Sequence, residues 1–327
     1  MAGNDASGIL LLDSDLMVHE TTPLAPATFG DSKLLAASFG RDGASFYVAD
    51  SGPGGGRISL VRKSDGLVLE TRKYPHEMTP GMLTVTPDSR TLIVGGRSAN
   101  GAAGGVVSLL SAHSLSEWIS IEPCAGSPDH VTVFPELNRA YLRCEDVGAV
   151  VADIDLELRR VVRTAVLDDS GGQTDSQCGP GGIALSPSGG FVLVPCATSG
   201  LLLYLDRLRL EVLDSATVGV GVFHIAVAPR DPIALITLPD SQAIAFVDLR
   251  SRQVTTRLLT PGRPRSIAIS GDGSIAYVLV ARSGPDSAAV VRVDVASEQI
   301  LSTVAVPAGS RFLSLWPGSQ SPTMRWR

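Results

Sequence analysis

The sequence predicts an all-β fold built from repeated four-stranded units, and three observations lead to this prediction. Short apolar runs of strand length recur along the chain, tight turns rich in Pro, Asp and Gly separate them, and long segments with the 3.6-residue period of a helix are missing. The 34 glycines and 21 prolines among 327 residues supply the turns that so many short strands require. Hydrophobic residues make up 44% of the chain, which is enough for an extensive core and excludes disorder of the whole chain.

One pattern of strand, tight turn and strand is repeated along the sequence. Its clearest copies are residues 267–278, with Ser-Gly-Asp-Gly at the turn, and residues 183–194, with Ser-Pro-Ser-Gly. With this turn as a marker, the copies fall at positions 41, 87, 135, 187, 229, 271 and 317, which are 42 to 52 residues apart. The intervals hold further strand-like runs, such as 243–249 and 254–259. Four short strands in roughly 40 to 50 residues are the dimensions of one blade of a β-propeller.

Seven markers predict a seven-bladed β-propeller with four-stranded antiparallel blades. Only ten residues follow position 317, whereas the strand-like segments 8–12 and 17–22 precede the first marker. We therefore expect the C-terminal segment 313–326 to pair with the N-terminal segment 8–22 in one shared blade. Such sharing closes the ring and removes exposed strand edges. The prediction is a single β-propeller domain that spans residues 1–327.

The repeat resembles that of YVTN-type seven-bladed propellers, which are WD40-like in arrangement, and the resemblance covers nearly the whole chain. It is most evident in 267–278 and 183–194. Propellers of this type include binding proteins, lactonase-like hydrolases and domains of redox enzymes, so the resemblance implies an architecture and a range of functions. Lactonase-like members often carry Pro-Arg-His where the innermost strand begins. Here residues 264–266 read Pro-Arg-Ser and residues 128–130 read Pro-Asp-His.

Composition and charge limit the classes of partner and the cellular compartments that we expect for this protein. The 27 Lys and Arg residues against 33 Asp and Glu residues give a net charge of −6 without a basic cluster, which argues against nucleic acid as a partner. No apolar run reaches the roughly 18 residues of a membrane span, so we expect no membrane insertion. The N-terminus lacks the basic segment of a signal peptide. The sequence as written therefore predicts a cytoplasmic protein, or a secreted or periplasmic one if a leader has been removed.

The phase of the repeat predicts which residues surround the axial channel. The first residues of each innermost strand ring this channel on the face that also carries the links between blades. Two positions, five and six residues before each turn marker, fall there. The six-before position holds Gly81, Asp129, Gly181, Phe223, Arg265 and Arg311, and the five-before position holds Met82, His130, Gly182, His224, Ser266 and Phe312.

These residues predict a polar, partly cationic channel mouth that suits an anionic or carbonyl-bearing small molecule. His130 and His224 are candidate acid/base groups, with Asp129 as the orienting carboxylate. Arg265 and Arg311 are candidate partners of a carboxylate or phosphate. The remaining lining candidates are Met82 and Phe223.

Two classes of function follow from this face. The leading hypothesis is binding of a small molecule or partner, and the alternative is an enzyme, such as a hydrolase, lyase or biosynthetic catalyst. A third interpretation is purely structural: the polar groups form hydrogen bonds with backbone atoms in a water-filled channel. The ligand and the oligomeric state do not follow from the sequence.

The four cysteines have a duplicated spacing. Cys124 and Cys178 lie in the links before blades 3 and 4, and Cys144 and Cys196 lie nine residues after the turn markers of the same blades. We therefore expect Cys124 close to Cys144 and Cys178 close to Cys196. Two intrablade disulfides, four reduced thiols and a Cys/His metal site are all compatible with this spacing, the metal being the least favoured.

A recurring aspartate predicts a structural feature rather than a site. Asp155, Asp248 and Asp294 each follow a third strand in the sequence Ile-Asp-Leu, Val-Asp-Leu or Val-Asp-Val. A side chain repeated at one position of several blades is typical of a turn, where the carboxylate accepts backbone N–H groups.

Overall fold

The computed structural model of the chain describes residues 8–12, 15–16, 18–23, 33–40, 43–52, 55–74, 78–98, 104–134, 136, 138–145, 149–167, 178–179, 181–282, 288–307, 310, 313 and 315. These residues form an all-β β-propeller of six four-stranded antiparallel blades, together with one two-stranded sheet. In every blade the strands pair in chain order, from an innermost first strand to an outermost fourth strand. No helix long and apolar enough to cross a membrane occurs among the described residues.

The strands have the following bounds. The two-stranded sheet contains β1 (Gly8–Leu12) and β2 (Val18–Pro23). Blade 1 contains β3 (Lys33–Phe39), β4 (Ser45–Gly52), β5 (Gly55–Arg62) and β6 (Val68–Lys73). Blade 2 contains β7 (Met78–Val85), β8 (Thr91–Ser98), β9 (Gly105–Ser111) and β10 (Glu117–Cys124). Blade 3 contains β11 (Ser127–Phe134), β12 (Arg139–Glu145), β13 (Ala149–Asp155) and β14 (Arg160–Leu167).

The second half of the chain repeats this organisation. Blade 4 contains β15 (Ala184–Leu185), β16 (Phe191–Cys196), β17 (Leu201–Asp206) and β18 (Val212–Thr217). Blade 5 contains β19 (Ile225–Val227), β20 (Ile233–Leu238), β21 (Ala243–Asp248) and β22 (Gln253–Leu259). Blade 6 contains β23 (Arg263–Ile269), β24 (Ile275–Ala281), β25 (Ala288–Asp294) and β26 (Gln299–Val306).

The position of a strand in its blade decides its pattern of burial. Strand β20 lies second in blade 5 and is covered on both faces, so Ala234 to Leu238 are all buried. Strand β22 lies outermost in the same blade, and its residues alternate between exposed and half-buried. This alternation follows from the two-residue period of a strand, whose successive side chains point to opposite faces of the sheet.

The hydrophobic core lies between neighbouring blades. Between blades 4 and 5, for example, Leu202 and Tyr204 pack with Ile236 and Ala245, all of them at most 1% exposed. Similar clusters lie between the other pairs of successive blades from 1 to 6. The innermost strands of successive blades also contact one another, from β3 through β7, β11, β15 and β19 to β23. Packing of sheet against sheet thus brings the starts of the innermost strands together.

The prediction of seven blades is wrong, because the described residues form six. Strands β1 and β2, which the repeat arithmetic assigned to a shared seventh blade, form a two-stranded sheet with each other. Of the C-terminal segment 313–326, only Leu313 and Leu315 belong to the described residues, and neither lies in a strand. Both pack with Leu16 against the cluster of blade 6 that contains Tyr277. The alternating leucines that resemble an inner strand therefore reflect packing on blade 6.

The prediction that recurring aspartates act as turn acceptors is confirmed. Asp155 Oδ1 accepts hydrogen bonds from the backbone N–H groups of Glu157 and Leu158, at 3.0 and 2.7 Å. Asp248 and Asp294 do the same for the residues that follow them. These carboxylates stabilise the turns between the third and fourth strands, on the face opposite to the starts of the innermost strands.

Candidate functional site

The innermost strands begin irregularly at the positions that the repeat phase selects. In blades 1, 2, 3 and 6 the pairing of the first strand with the second shifts register, at Leu35, Gly81, Asp129 and Arg265 respectively. A register shift of this kind leaves the extra residue unpaired and turns neighbouring side chains in new directions. In blades 4 and 5 the first strand starts only at Ala184 and Ile225. The backbone at this face therefore departs from the regular ladder in all six blades that the described residues form.

The structure brings the two candidate histidines together. His130 belongs to blade 3 and His224 precedes the first strand of blade 5, yet their ring centroids are 5.1 Å apart, with the planes inclined by 45°. Blade 4 lies between them and contributes Gly182 at the same phase. A Cβ atom on Gly182 would lie 3.1 Å from Cδ2 of His224. The absence of a side chain at Gly182 therefore leaves space for the His224 ring beside His130.

His224 is held in place by hydrogen bonds on its backbone and its ring. Its backbone N–H donates to Oγ1 of Thr237 at 2.9 Å, and the backbone N–H of Ile267 donates to its Nδ1 at 3.0 Å. Part of the residue is accessible, but burial of the imidazole, together with a smaller effect of the neighbouring His130, lowers its pKa to about 3. His224 is therefore a neutral imidazole over the physiological pH range.

His130 lies between a carboxylate and an aromatic ring. Its Nδ1 is 3.4 Å from Oδ2 of Asp129. The ring of Phe223 meets it edge-on, with centroids 6.4 Å apart and an interplanar angle of 89°. Within the described part of the chain, neither His130 Nδ1 nor Asp129 Oδ1 has a hydrogen-bond partner, although both atoms are buried. Buried polar atoms are normally paired, so these two mark a place where the protein alone does not complete its interactions.

Arg143 is a component of this site that the sequence reasoning missed. Its side chain is 1% exposed, and its guanidinium lies 3.6 Å from Oδ2 of Asp129. The same guanidinium donates hydrogen bonds to the carbonyl oxygens of Gly181, at 2.5 Å, and of Cys178 and Gly179. A charged residue inside the apolar run Tyr-Leu-Arg-Cys was the signal that could have revealed it, because burying a charge requires partners of this kind.

The remaining predicted residues have different environments. Arg265 is exposed and forms no ion pair with the residues that the structure describes. It lies two residues before Ile267, whose N–H binds His224, so its backbone belongs to the same site. Met82 is 5% exposed and packs in the core between blades 2 and 3, where it is a core residue rather than an accessible ligand contact. The predicted Arg311 lies outside the described residues.

The cysteines form two disulfides, Cys124–Cys144 and Cys178–Cys196, with Cα–Cα distances of 6.4 and 4.5 Å. These are the pairs whose proximity the duplicated spacing predicts. The first bridge is not confined to one blade, however, because Cys124 ends β10 of blade 2 and Cys144 lies in β12 of blade 3. The second ties the link before blade 4 to strand β16. Among the described residues, no group of three or more His, Cys, Asp or Glu side chains could hold a metal ion.

A groove of about 290 Å³ lies on the opposite face, between the turns of blades 2 and 3. Asp88 and Arg90 from one blade face Glu157 and Arg159 from the other, so charges of both signs line it. The two histidines, the register shifts of the innermost strands and the unpartnered buried atoms of Asp129 and His130 lie at the other ends of the strands. We therefore place the candidate site at the starts of the innermost strands rather than in this groove.

Comparisons with protein-family models and with curated protein sequences give no match. No family model therefore supports the resemblance to the YVTN type. Of that resemblance, the structure supports the propeller architecture, with six blades among the described residues.

Proposed function

We propose that this protein binds a small molecule with a carboxylate or carbonyl group at the starts of its innermost strands. The observation that carries the proposal is the approach of the His130 and His224 rings to 5.1 Å across blade 4. Two imidazoles supply polar ring atoms at one place, and Phe223 supplies an apolar wall beside them. Sites for small ligands typically combine apolar walls with a few convergent polar groups.

An anionic ligand is favoured over a cationic one by Arg265, which lies two residues before Ile267, the residue whose N–H binds His224. Arg265 is exposed, and its guanidinium forms no ion pair with a carboxylate of the described residues. A guanidinium is suited to bidentate recognition of a carboxylate. Asp129 does not offset this preference, because Arg143 lies 3.6 Å from its carboxylate. A small carboxylate or an α-carbonyl acid is therefore the ligand class that we propose.

The enzyme alternative has one specific observation in its favour. His224 is neutral over the physiological pH range, while the Asp129 carboxylate lies next to His130. Because their surroundings differ, the two histidines could take different catalytic roles, one donating a hydrogen bond to a carbonyl oxygen and the other accepting a proton. The same ligand class serves both functions, so binding is the property to test first.

The proposal is tested with acetate, glycolate and pyruvate as probes, using saturation-transfer NMR and shift titrations on the purified chain. We expect the signals of the bound probe to be lost in His130→Ala and retained in His113→Ala, because His113 lies exposed in the turn between β9 and β10. No binding of any probe to the unmodified chain, or equal binding in both variants, would overturn the proposed function.

A pair of glycine variants in blade 4 provides a second test that leaves the histidines unchanged. In Gly182→Ala the new Cβ would lie 3.1 Å from His224 Cδ2 and 3.1 Å from the backbone N of Ile225. In Gly190→Ala, at the other end of the first strand, its nearest neighbour would be Ser188 Oγ at 3.5 Å. We expect Gly182→Ala to weaken probe binding and Gly190→Ala to leave it unchanged. The reverse order would contradict a site beside His224.

The disulfides favour an oxidising compartment, and we infer that the protein works in a secreted or periplasmic setting. Disulfides form and persist outside the cytoplasm and are rare within it. Mass spectrometry of the protein alkylated without prior reduction tests this inference. Four blocked thiols would support it, and four alkylated cysteines in protein from its natural compartment would overturn it.

We also propose that residues 1–327 form one domain. Contacts between innermost strands run through all six blades, and Leu16 near the N-terminus packs against blade 6 together with Leu313 and Leu315. Limited proteolysis that releases no stable fragment smaller than the six blades would agree with this proposal.

A further inference from the structure

The two histidines are held by different neighbours, and these neighbours select different tautomers. At His224, Nδ1 accepts the backbone N–H of Ile267 at 3.0 Å. A nitrogen that accepts a hydrogen bond carries a lone pair, so the proton of the neutral imidazole must lie on Nε2. His224 therefore offers Nε2–H as a hydrogen-bond donor.

At His130 the arrangement is reversed. Its Nδ1 lies 3.4 Å from the Asp129 carboxylate, and a negative charge favours N–H over a lone pair at that distance. The proton of neutral His130 is therefore held on Nδ1, which leaves the lone pair on Nε2. Because Nδ1 is buried and the side chain is 26% exposed, the accessible part of the ring does not include Nδ1. Neither Nε2 atom makes a hydrogen bond to a described residue.

Arg143 keeps Asp129 in the position that this tautomer requires. The guanidinium is buried, is 3.6 Å from the carboxylate, and is fixed by the carbonyl oxygens of Cys178, Gly179 and Gly181. These carbonyls belong to the link that the disulfide Cys178–Cys196 closes. A buried guanidinium beside Asp129 attracts its carboxylate and so favours the position in which Oδ2 lies near both Arg143 and His130.

We infer that His130 and His224 act as a matched acceptor and donor for a ligand with a hydroxyl group next to a carbonyl or carboxylate group. The hydroxyl would donate to Nε2 of His130, and the neighbouring oxygen would accept from Nε2–H of His224. Arg265 would bind the remaining charge of an α-hydroxy carboxylate. This inference rests on the proposed function and specifies its ligand class. It differs from general anion binding because it requires the hydroxyl.

The tautomers are measured without a ligand, by two-bond ¹H–¹⁵N correlation spectra of the histidine rings at neutral pH. We expect a protonated Nε2 in His224 and a protonated Nδ1 in His130, with signals assigned by His130→Ala and His224→Asn. The variant Asp129→Asn removes the charge and keeps the shape of the side chain. In it, His130 should lose its preference for the Nδ1-protonated tautomer, and His224 should keep its preference for the Nε2-protonated one. The same tautomer in both histidines of the unmodified chain would overturn the inference.

The ligand class is tested by comparing glycolate with acetate, which differ by one hydroxyl group. We expect glycolate to bind about 2- to 10-fold more tightly, the range of one ordinary hydrogen bond. This ratio should fall to about 1 in Asp129→Asn, while the binding of acetate persists. Equal affinities in the unmodified chain would overturn the inference and leave the proposed function standing, whereas a failure of both probes to bind would overturn the proposed function itself.

Discussion

At the face where third strands turn into fourth strands, consecutive blades repeat one arrangement. Asp155, Asp206 and Asp248 each accept two backbone N–H groups of the turn. The residue four positions later has a positive φ in each case, 53° at Arg159 and 59° at both Leu210 and Arg252. At the opposite face, where the innermost strands begin, the same phase holds Asp129–His130, Gly181–Gly182 and Phe223–His224 in successive blades.

In a repeated fold, this difference indicates which face can carry a function. The turn between third and fourth strands has an aspartate acceptor in blades 3 to 6 and Ser111 in blade 2, so a polar side chain recurs there and satisfies the backbone of the turn. Residues at one phase that differ from blade to blade do not serve a need common to all blades. Two buried atoms without partners, Asp129 Oδ1 and His130 Nδ1, lie next to each other in sequence on the variable face, whereas Arg207 Nε is an unpartnered buried atom in a turn of the repeated face.

The largest expected effect comes from the buried cation of the variable face. Arg143→Met would leave the Asp129 carboxylate and the carbonyls of the 178–181 link without their donor. Removing one partner of a buried ion pair typically lowers the free energy of unfolding by about 3–5 kcal/mol. Urea unfolding followed by circular dichroism measures this loss.

The matched control for Arg143→Met lies on the turn face. Arg62 pairs with Asp65 at 2.8 Å, but both side chains are largely accessible, at 44% and 50% exposure. Exposed ion pairs contribute little because water screens them, so Arg62→Met should leave the unfolding midpoint unchanged. Equal losses in the two variants would show that the two faces do not differ in this respect.

A smaller effect is expected from pH. The folded state holds the pKa of His224 at about 3, below its ordinary value of 6.5, so the unfolded chain takes up the proton first as the pH falls. The contribution of His224 to the free energy of unfolding is therefore fully present above about pH 6.5. It declines towards pH 3, by at most about 1.4 kcal/mol per pH unit.

The measurement is urea unfolding at pH 7 and pH 5. His224→Asn removes the titrating group and should reduce the loss of stability between these values, whereas His113→Asn, at an exposed turn position, should not. If the loss between pH 7 and pH 5 is the same in the unmodified chain and in both variants, His224 is not the group responsible.

The smallest expected effect is at a repeated turn. Asp248→Ala removes the acceptor of the N–H groups of Arg250 and Ser251, at 2.7 and 2.9 Å, but these groups are exposed and water replaces the carboxylate. We expect a loss of about 1 kcal/mol, the net worth of a typical hydrogen bond. Asp231→Ala, in the first turn of the same blade, is the control, because the Asp231 side chain forms no hydrogen bond or ion pair with the described residues. A larger loss in Asp248→Ala than in Arg143→Met would reverse the comparison of the two faces.

The number of blades illustrates the limit of counting repeats. Strand pairs such as 183–194 and 267–278 could be predicted because each closes locally through its own turn. The segment around Leu313 has the same alternation of apolar residues, yet Leu313 and Leu315 pack on blade 6 and lie outside any strand. Alternation of apolar and polar residues indicates that one side of the segment is buried, but it does not indicate whether a partner strand is present.

The all-β class, the four-stranded blades, the turn aspartates and the positions of His130 and His224 at the starts of their blades can all be predicted from the sequence. These properties depend on periodicity and on residues close in the chain. Three features follow from tertiary packing: blades 3 and 5 bring the two histidines to 5.1 Å across Gly182, Arg143 lies buried beside Asp129, and the described residues form six blades. These features depend on how separate sheets pack against one another, and a local pattern in the sequence does not contain that information.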